Sequence, residues 1–209
     1  VSGINAGAQV NKDAEQPKEA PAIFLQGGKA AENLRDAVRF LAQAGGFFNR
    51  GGTLTRVIEA HEARASGLRL YDPEITRDDK SPVIILVTAD YLRVRLDELV
   101  SFTKWNIRAA AKGEGKVPTN CPLSLVTGIL ALGEWEGIPP LRAITRAPFL
   151  RSDGSICDRE GYDEQTATLY VPSEPIEATP ESPNRDDALE AVKYLLGPFV
   201  EIPFADEKH

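Results

Sequence analysis

The stretch GEWEGIPPLRAITRAPFLRSDGSICDREGYDEQTATLY, Gly133 to Tyr170, decides the fold class. Ile138-Pro139-Pro140 fixes an extended entry, because each proline locks its own φ and pushes the residue before it toward β or polyproline II. A strand is expected to follow, with Leu141, Ala143 and Thr145 alternating with Arg142, Ile144 and Arg146, so that both arginines emerge on one face. After Pro148 the apolar pair Phe149-Leu150 runs into Asp153-Gly154, a strong hairpin signal, and Ser155-Ile156-Cys157 returns. A hairpin demands antiparallel pairing.

Working outward, Phe47-Phe48-Asn49 and Thr53 to Ile58 flank Arg50-Gly51-Gly52, where glycine supplies the positive φ of a second tight hairpin. Four amphipathic helices are expected. Leu34, Ala37, Val38 and Leu41 give the i, i+3, i+4, i+7 spacing of the first, closed by Gly45-Gly46. The second follows the β-branched strand Pro82 to Val87, capped by Thr88 or Asp90, with Leu92, Leu96, Leu99 and Val100 on one face. A short third begins near Pro122, capped by Thr119 or Asn120, buries Leu123, Val126 and Leu130, and ends at Gly133. The last is capped by Asn184, carries Asp186 and Asp187 at the positive end of its dipole, and stops at Gly197-Pro198. A further strand is expected at Leu68 to Tyr71, another from Phe102 to Ile107, and a flexible basic loop at 112–116. Steady strand-helix alternation is absent, so the fold class is α+β, with a mixed, mostly antiparallel sheet, hairpins and about four helices. Residues 1–21 read as a disordered tail or linker, and 22–209 as a single α+β domain.

Composition narrows the function. The longest apolar run, Val83 to Val87, is far too short to span a bilayer, and no secretory signal pattern occurs, so a cytoplasmic protein without membrane contact is expected. Two cysteines without a CxxC, and two histidines, write neither a disulfide scaffold nor a zinc site. A chain that lacks methionine and begins with Val1 is expected to be processed at its start or cut from a longer polypeptide. The net charge of −7 is unevenly spread: Asp90 to Arg151 holds nine basic and six acidic residues, whereas Ser152 to His209 holds four basic and fourteen acidic. A mildly basic centre beside an acidic end fits a nucleic-acid surface with an acidic neighbour, and equally a solvated surface.

Catalytic constellations are poorly served. Gly115-Lys116 is the nearest approach to a phosphate loop, but the earlier glycine position is Ala110 and the hydroxyl position is Val117, so neither the backbone cradle nor the magnesium ligand is present. Asp78-Asp79 and Asp186-Asp187 are adjacent pairs, and neighbours on a strand point to opposite faces, which suits a two-metal site badly. Asp97 with Glu114 and Lys116 gives a loose nuclease-like pattern, with Glu114 set between glycines. His61 sits in a charged, turn-like segment with no nucleophile motif, and Cys121 reads as a buried structural thiol. No cofactor, metal or catalytic residue is therefore expected. Phosphate contacts are expected from Arg93, Lys104, Arg108, Arg142, Arg146 and Arg151, with Arg95, Lys112 and Lys116 nearby. Tyr91, Phe102 and Trp105 offer stacking faces if exposed, although Phe102 and Trp105 read as core.

The run PPLR, TRAPFLRSDGSI, GYD and TLY, together with FFNRGGTLTRV at 47–57, resembles a region of large replication proteins from phages and integrated mobile elements. There it stands upstream of a superfamily 3 helicase of the poxvirus primase-helicase kind. The resemblance spans most of the chain and implies a place in DNA replication, with DNA and a replication helicase or ATPase domain as partners, but it carries over no catalytic residue. The expected function is a non-catalytic accessory domain of such a protein. A protein-interaction module using the acidic C-terminal region, and a small metal-dependent nuclease, are the alternatives.

Overall fold

The computed structural model describes residues 21–67, 78–113, 115–174, 182 and 184–199. The expected strand at Leu68 to Tyr71, most of the N-terminal tail and three of the four prolines of the link before the last helix lie outside them. The architecture is α+β. In chain order the elements are β1 (Ala22–Leu25), α1 (Ala30–Ala44), β2 (Phe47–Arg50), β3 (Thr53–Glu59), α2 (Ala60–Ala65), β4 (Pro82–Leu86), α3 (Ala89–Leu99), β5 (Ser101–Trp105) and α4 (Ile107–Ala110). There follow β6 (Lys116–Thr119), α5 (Leu123–Ala131), β7 (Ala143–Thr145), β8 (Phe149–Leu150), β9 (Ile156–Cys157), β10 (Gly161–Asp163), β11 (Thr168–Tyr170) and α6 (Arg185–Leu196). The four anticipated helices are α1, α3, α5 and α6; α2 and α4 are one-turn additions too short to show a periodicity. His61, which reads as part of a turn, lies in α2.

Strands assort into β1-β5-β6, β2-β3-β4, β10-β11-β7 and the hairpin β8-β9. Five of the seven pairings are antiparallel, but β1 pairs β5 and β7 pairs β11 in parallel. Parallel neighbours need a long crossover, and helices α1 and α3 lie in the one that separates β1 from β5. Both glycine hairpins form as expected. Gly51 and Gly52 take φ of +58° and +79° between the registered pair Arg50 and Thr53, the two consecutive positive values a twisted two-residue turn requires. Gly154, at φ +84°, turns β8 into β9.

Two cores share the sheet β2-β3-β4. On one face Phe47 and Leu54 join Leu41, Leu92, Leu96, Phe102, Val126, Ile129, Trp135 and Ile138, so that α1, α3 and α5 pack between this sheet and β1-β5-β6. On the other, Phe48, with Val57 and Ile84, meets Leu141, Leu169 and Val171 of the β10-β11-β7 side. Phe47 and Phe48 are adjacent, and the pleat sends one to each core.

The proline entry joins the two halves. Asn49 N donates to Pro139 O and Leu141 N to Asn49 O, both at 2.8 Å, so the segment runs beside β2 before reaching β11. Asn49 also donates through Nδ2 to Gly133 O and accepts the Gly52 amide, while the Tyr162 hydroxyl donates to Pro140 O at 2.5 Å. The residues that carry the family resemblance therefore hold one another together.

Candidate nucleic-acid interface

The sheet β1-β5-β6 has one face on the core and one on solvent. Ile23 and Phe102 are registered partners and both are buried against the helices. The opposite face carries Phe24, Thr103, Trp105, Lys116 and Pro118, by alternation along strands registered Phe24 to Thr103, Thr103 to Pro118 and Trp105 to Lys116. Trp105 is 58% exposed, which reverses the expectation that it is core. Phe102 takes the inward position, and a residue three further along the same strand must point outward. Phe102 itself is buried, as expected.

The indole is seated on Gly115. A β-carbon at that position would lie 2.3 Å from Trp105 Cη2, 2.5 Å from Cζ3 and 2.9 Å from Cζ2, so three carbons of the six-membered ring occupy the space any side chain would need. The Lys116 ammonium stands 4.9 Å from the centre of the Phe24 ring, a cation held over an aromatic face. Beyond Trp105 the chain turns at Asn106, whose side chain caps α4 by accepting the Arg108 and Ala109 amides and whose own amide donates to Gly115 O. The side chains of Lys104, Arg108 and Lys112 are exposed and make no hydrogen bond or ion pair among the described residues. By the pleat, Lys104 leans to the opposite side of β5 from Trp105, at the end of the sheet.

The other anticipated contacts are placed differently. Arg93 is exposed but donates through Nε to Cys121 O at 3.0 Å, and Cys121 N donates to Asp97 Oδ1 at 2.6 Å, so this pair clamps the entry to α5 onto α3. Burial first, and Asp97 second, push the Cys121 thiol up to about 11, leaving it protonated and inert. Arg142 and Arg146 flank β7, which covers only Ala143–Thr145. Arg142 is exposed, with no ion pair among the described residues. Arg146 reaches Ser81 Oγ and Asp78 Oδ2, both at 3.2 Å, with its Nε buried and unpartnered. Tyr91 lies under the Arg56 guanidinium, 4.0 Å from ring centre, so that face is occupied.

Arg151 is drawn into the hairpin. Its guanidinium donates to Asp163 at 2.7 and 2.8 Å, to Ser155 Oγ and to Ile156 O. The Arg151 hydrogen bond, then that of Thr166, holds the Asp163 carboxyl below the usual range. Asp153 accepts from Gln165 and from the hydroxyl and amide of Ser155, which lowers its carboxyl to about 2. The sign follows directly. A carboxylate whose folded value lies below its unfolded 3.8 stabilises the fold above the unfolded value and loses that contribution as pH falls toward about 2. The melting-temperature gap between the protein and Asp153→Asn is therefore expected to be constant above about pH 5 and to close between about pH 4 and 2. A gap that widens in acid would contradict this account.

Of the nuclease-like pattern, Asp97 accepts the Cys121 amide and Lys116 lies over Phe24, while Glu114 is outside the described residues. Among the described residues no group of three or more His, Cys, Asp or Glu is placed to hold a metal. Asp78 and Asp79 pair with Arg146 and Arg64, while Asp187 closes a capping box with Asn184. No helix among the described residues is long and apolar enough to cross a membrane. The chain matches no family model, no curated protein and no solved structure.

Sequence reasoning missed Phe24, Trp105 and Lys116 as one surface. The odd spacing from Phe102 to Trp105 was the available signal for the indole; the seat at Gly115 depends on the β5-β6 register and leaves no trace in the sequence.

Proposed function

We propose that this protein is a non-catalytic accessory domain of a phage or mobile-element DNA replication protein, and that it contacts DNA through the β5-α4-β6 end of its first sheet. The observation that carries the reading is the set of cations Lys104, Arg108, Lys112 and Lys116, none ion-paired among the described residues, within the one segment 104–116 that also carries the exposed Trp105, with Lys116 on the indole's face of the sheet and Lys104 on the other. Arg142 is a peripheral phosphate contact, while Arg93, Arg146 and Arg151 serve mainly the fold through the partners described above. The place in replication is supported by the sequence resemblance. Binding is expected at low salt and to weaken steeply as salt rises, because neutralised phosphates release counterions. Replacing Lys104, Arg108 and Lys112 together with alanine should flatten the log-log salt slope by roughly two, measured by anisotropy of labelled DNA. Absence of binding to single- and double-stranded DNA at low salt would defeat the reading.

A second reading, the protein-interaction module, is favoured by α6. Its side chains Leu189, Val192 and Leu196, with Phe199 in the turn that follows, are 48 to 57% exposed, and no residue of the helix is buried. A replication helicase or ATPase domain is the proposed partner. Leu189→Glu with Leu196→Glu should abolish that association in a pull-down and leave the melting temperature unchanged.

A further inference from the structure

We propose that the DNA taken by this surface is single-stranded, with one unpaired base stacked on Trp105 and a neighbouring phosphate held by Lys116; the inference rests on the DNA-contact reading above. In a duplex both faces of every interior base are covered by adjacent base pairs, so an indole can take a base only from a strand that is already unstacked. The indole is built for that use. Its inner face rests on Gly115, where any side chain would collide with the ring, and its other side is open to solvent. A ring fixed on one side loses little freedom when a base covers the other.

Lys116 is the residue directly opposite Trp105 across the β5-β6 ladder, so the two side chains rise from the same face within about 5 Å at their β-carbons. Phe24 holds the ammonium on this face, 4.9 Å from its ring centre. Base platform and phosphate donor are thus neighbours, as the two ends of a nucleotide require. The remaining residues of the face, Ala22, Ser101, Thr103 and Pro118, are small or compact, and all but the half-buried Thr103 are exposed, which leaves a strand room to lie along the sheet.

Duplex DNA fits the same surface badly. The major groove admits a helix or a two-stranded ribbon, whereas this end of the molecule presents the face of a three-stranded sheet. The helix at this end, α4, has four residues, too few to fill a groove.

The experiment compares an oligo-dT strand with a blunt hairpin duplex of equal phosphate number, by titration of intrinsic fluorescence and by anisotropy at fixed salt. The chain has two tryptophans, and Trp135 is buried, so quenching by a stacked base reports on Trp105. The expected result is at least roughly tenfold tighter binding of oligo-dT, with quenching, and a loss of roughly 5- to 100-fold in that affinity for Trp105→Ala. Trp105→Phe should retain part of it, and both variants should keep the parent's circular dichroism and melting temperature because the side chain is exposed. Equal affinity for strand and duplex, or a Trp105→Ala variant that binds oligo-dT as well as the parent, would overturn the single-strand inference and leave DNA contact standing. Failure of both probes to bind would overturn the DNA reading itself, and the inference with it.

Discussion

Trp135→Ala is expected to destabilise the fold by about 3–5 kcal/mol, the cost of removing a buried indole and leaving the cavity behind. The side chain is 5% exposed, lies in the first core, and donates from Nε1 to Ile129 O at 2.8 Å near the end of α5. That carbonyl belongs to the last turn of the helix, where it accepts only the Leu132 amide of the backbone, at 3.2 Å, and the indole supplies its second donor. Two losses therefore coincide, of apolar contact and of a hydrogen bond that ties α5 to the proline entry. Trp135→Phe keeps most of the ring and should cost only about 1–3 kcal/mol. Against the 5–15 kcal/mol total typical of a single domain, about 4 kcal/mol is a large share. Urea unfolding followed by circular dichroism is the measurement, with a lower midpoint and an unchanged slope. A midpoint within error of the parent would mean that Trp135 is not packed as described.

What the sequence made legible was local. Both hairpins could be read because Gly51, Gly52 and Gly154 sit where only a positive φ closes the turn. Helices α1, α3 and α6 could be read from apolar spacing, and the α6 cap from Asn184 and Asp187. Helix α5 could be placed but its face could not: Leu125, Val126 and Ile129 are the buried residues while Leu123 is exposed, and Pro122 rather than Thr119 or Asn120 stands at its N-cap. The parallel pairings could not be read, because the partners of β1 and β7 lie beyond intervening elements and no residue marks the match. The site divides in the same way. Cations were visible as residue types, but whether one is free depends on what the fold sets beside it: Asp163 reaches Arg151 only because β8-β9 and β10 come together, and Cys121 reaches Arg93 only across α3 and α5. Trp105 was misread because composition weighed against an exposed indole, while the strand's phase weighed for one. The resemblance motif drew attention to Arg151, Asp153 and Asp163, and these residues bond mainly within the motif.

Leu169→Ala should have the second large effect, about 2–5 kcal/mol, and it tests how the two cores depend on each other. Leu169 is 2% exposed on β11, between β10 and β7, and packs with Phe48, Leu141 and Val171 in the second core. Trp135 belongs to the first. Among the described residues the only sheet common to both is β2-β3-β4, whose Phe47 and Phe48 point to opposite sides. If that sheet couples them, destabilising one face withdraws support from the other, and the chain unfolds in one cooperative transition. In a Trp105→Phe background, where Trp135 is the sole indole, its fluorescence transition should shift to lower urea on Leu169→Ala although the two side chains occupy different cores. The shift should match the one seen by circular dichroism. A Trp135 transition that stays in place while part of the circular dichroism signal is lost earlier would mean that the β10-β11-β7 side unfolds by itself. The asparagine and proline bonds argue for the coupled outcome: Asn49 of the shared sheet is bonded to Pro139 and Leu141, so the second core cannot leave without breaking the edge of the first.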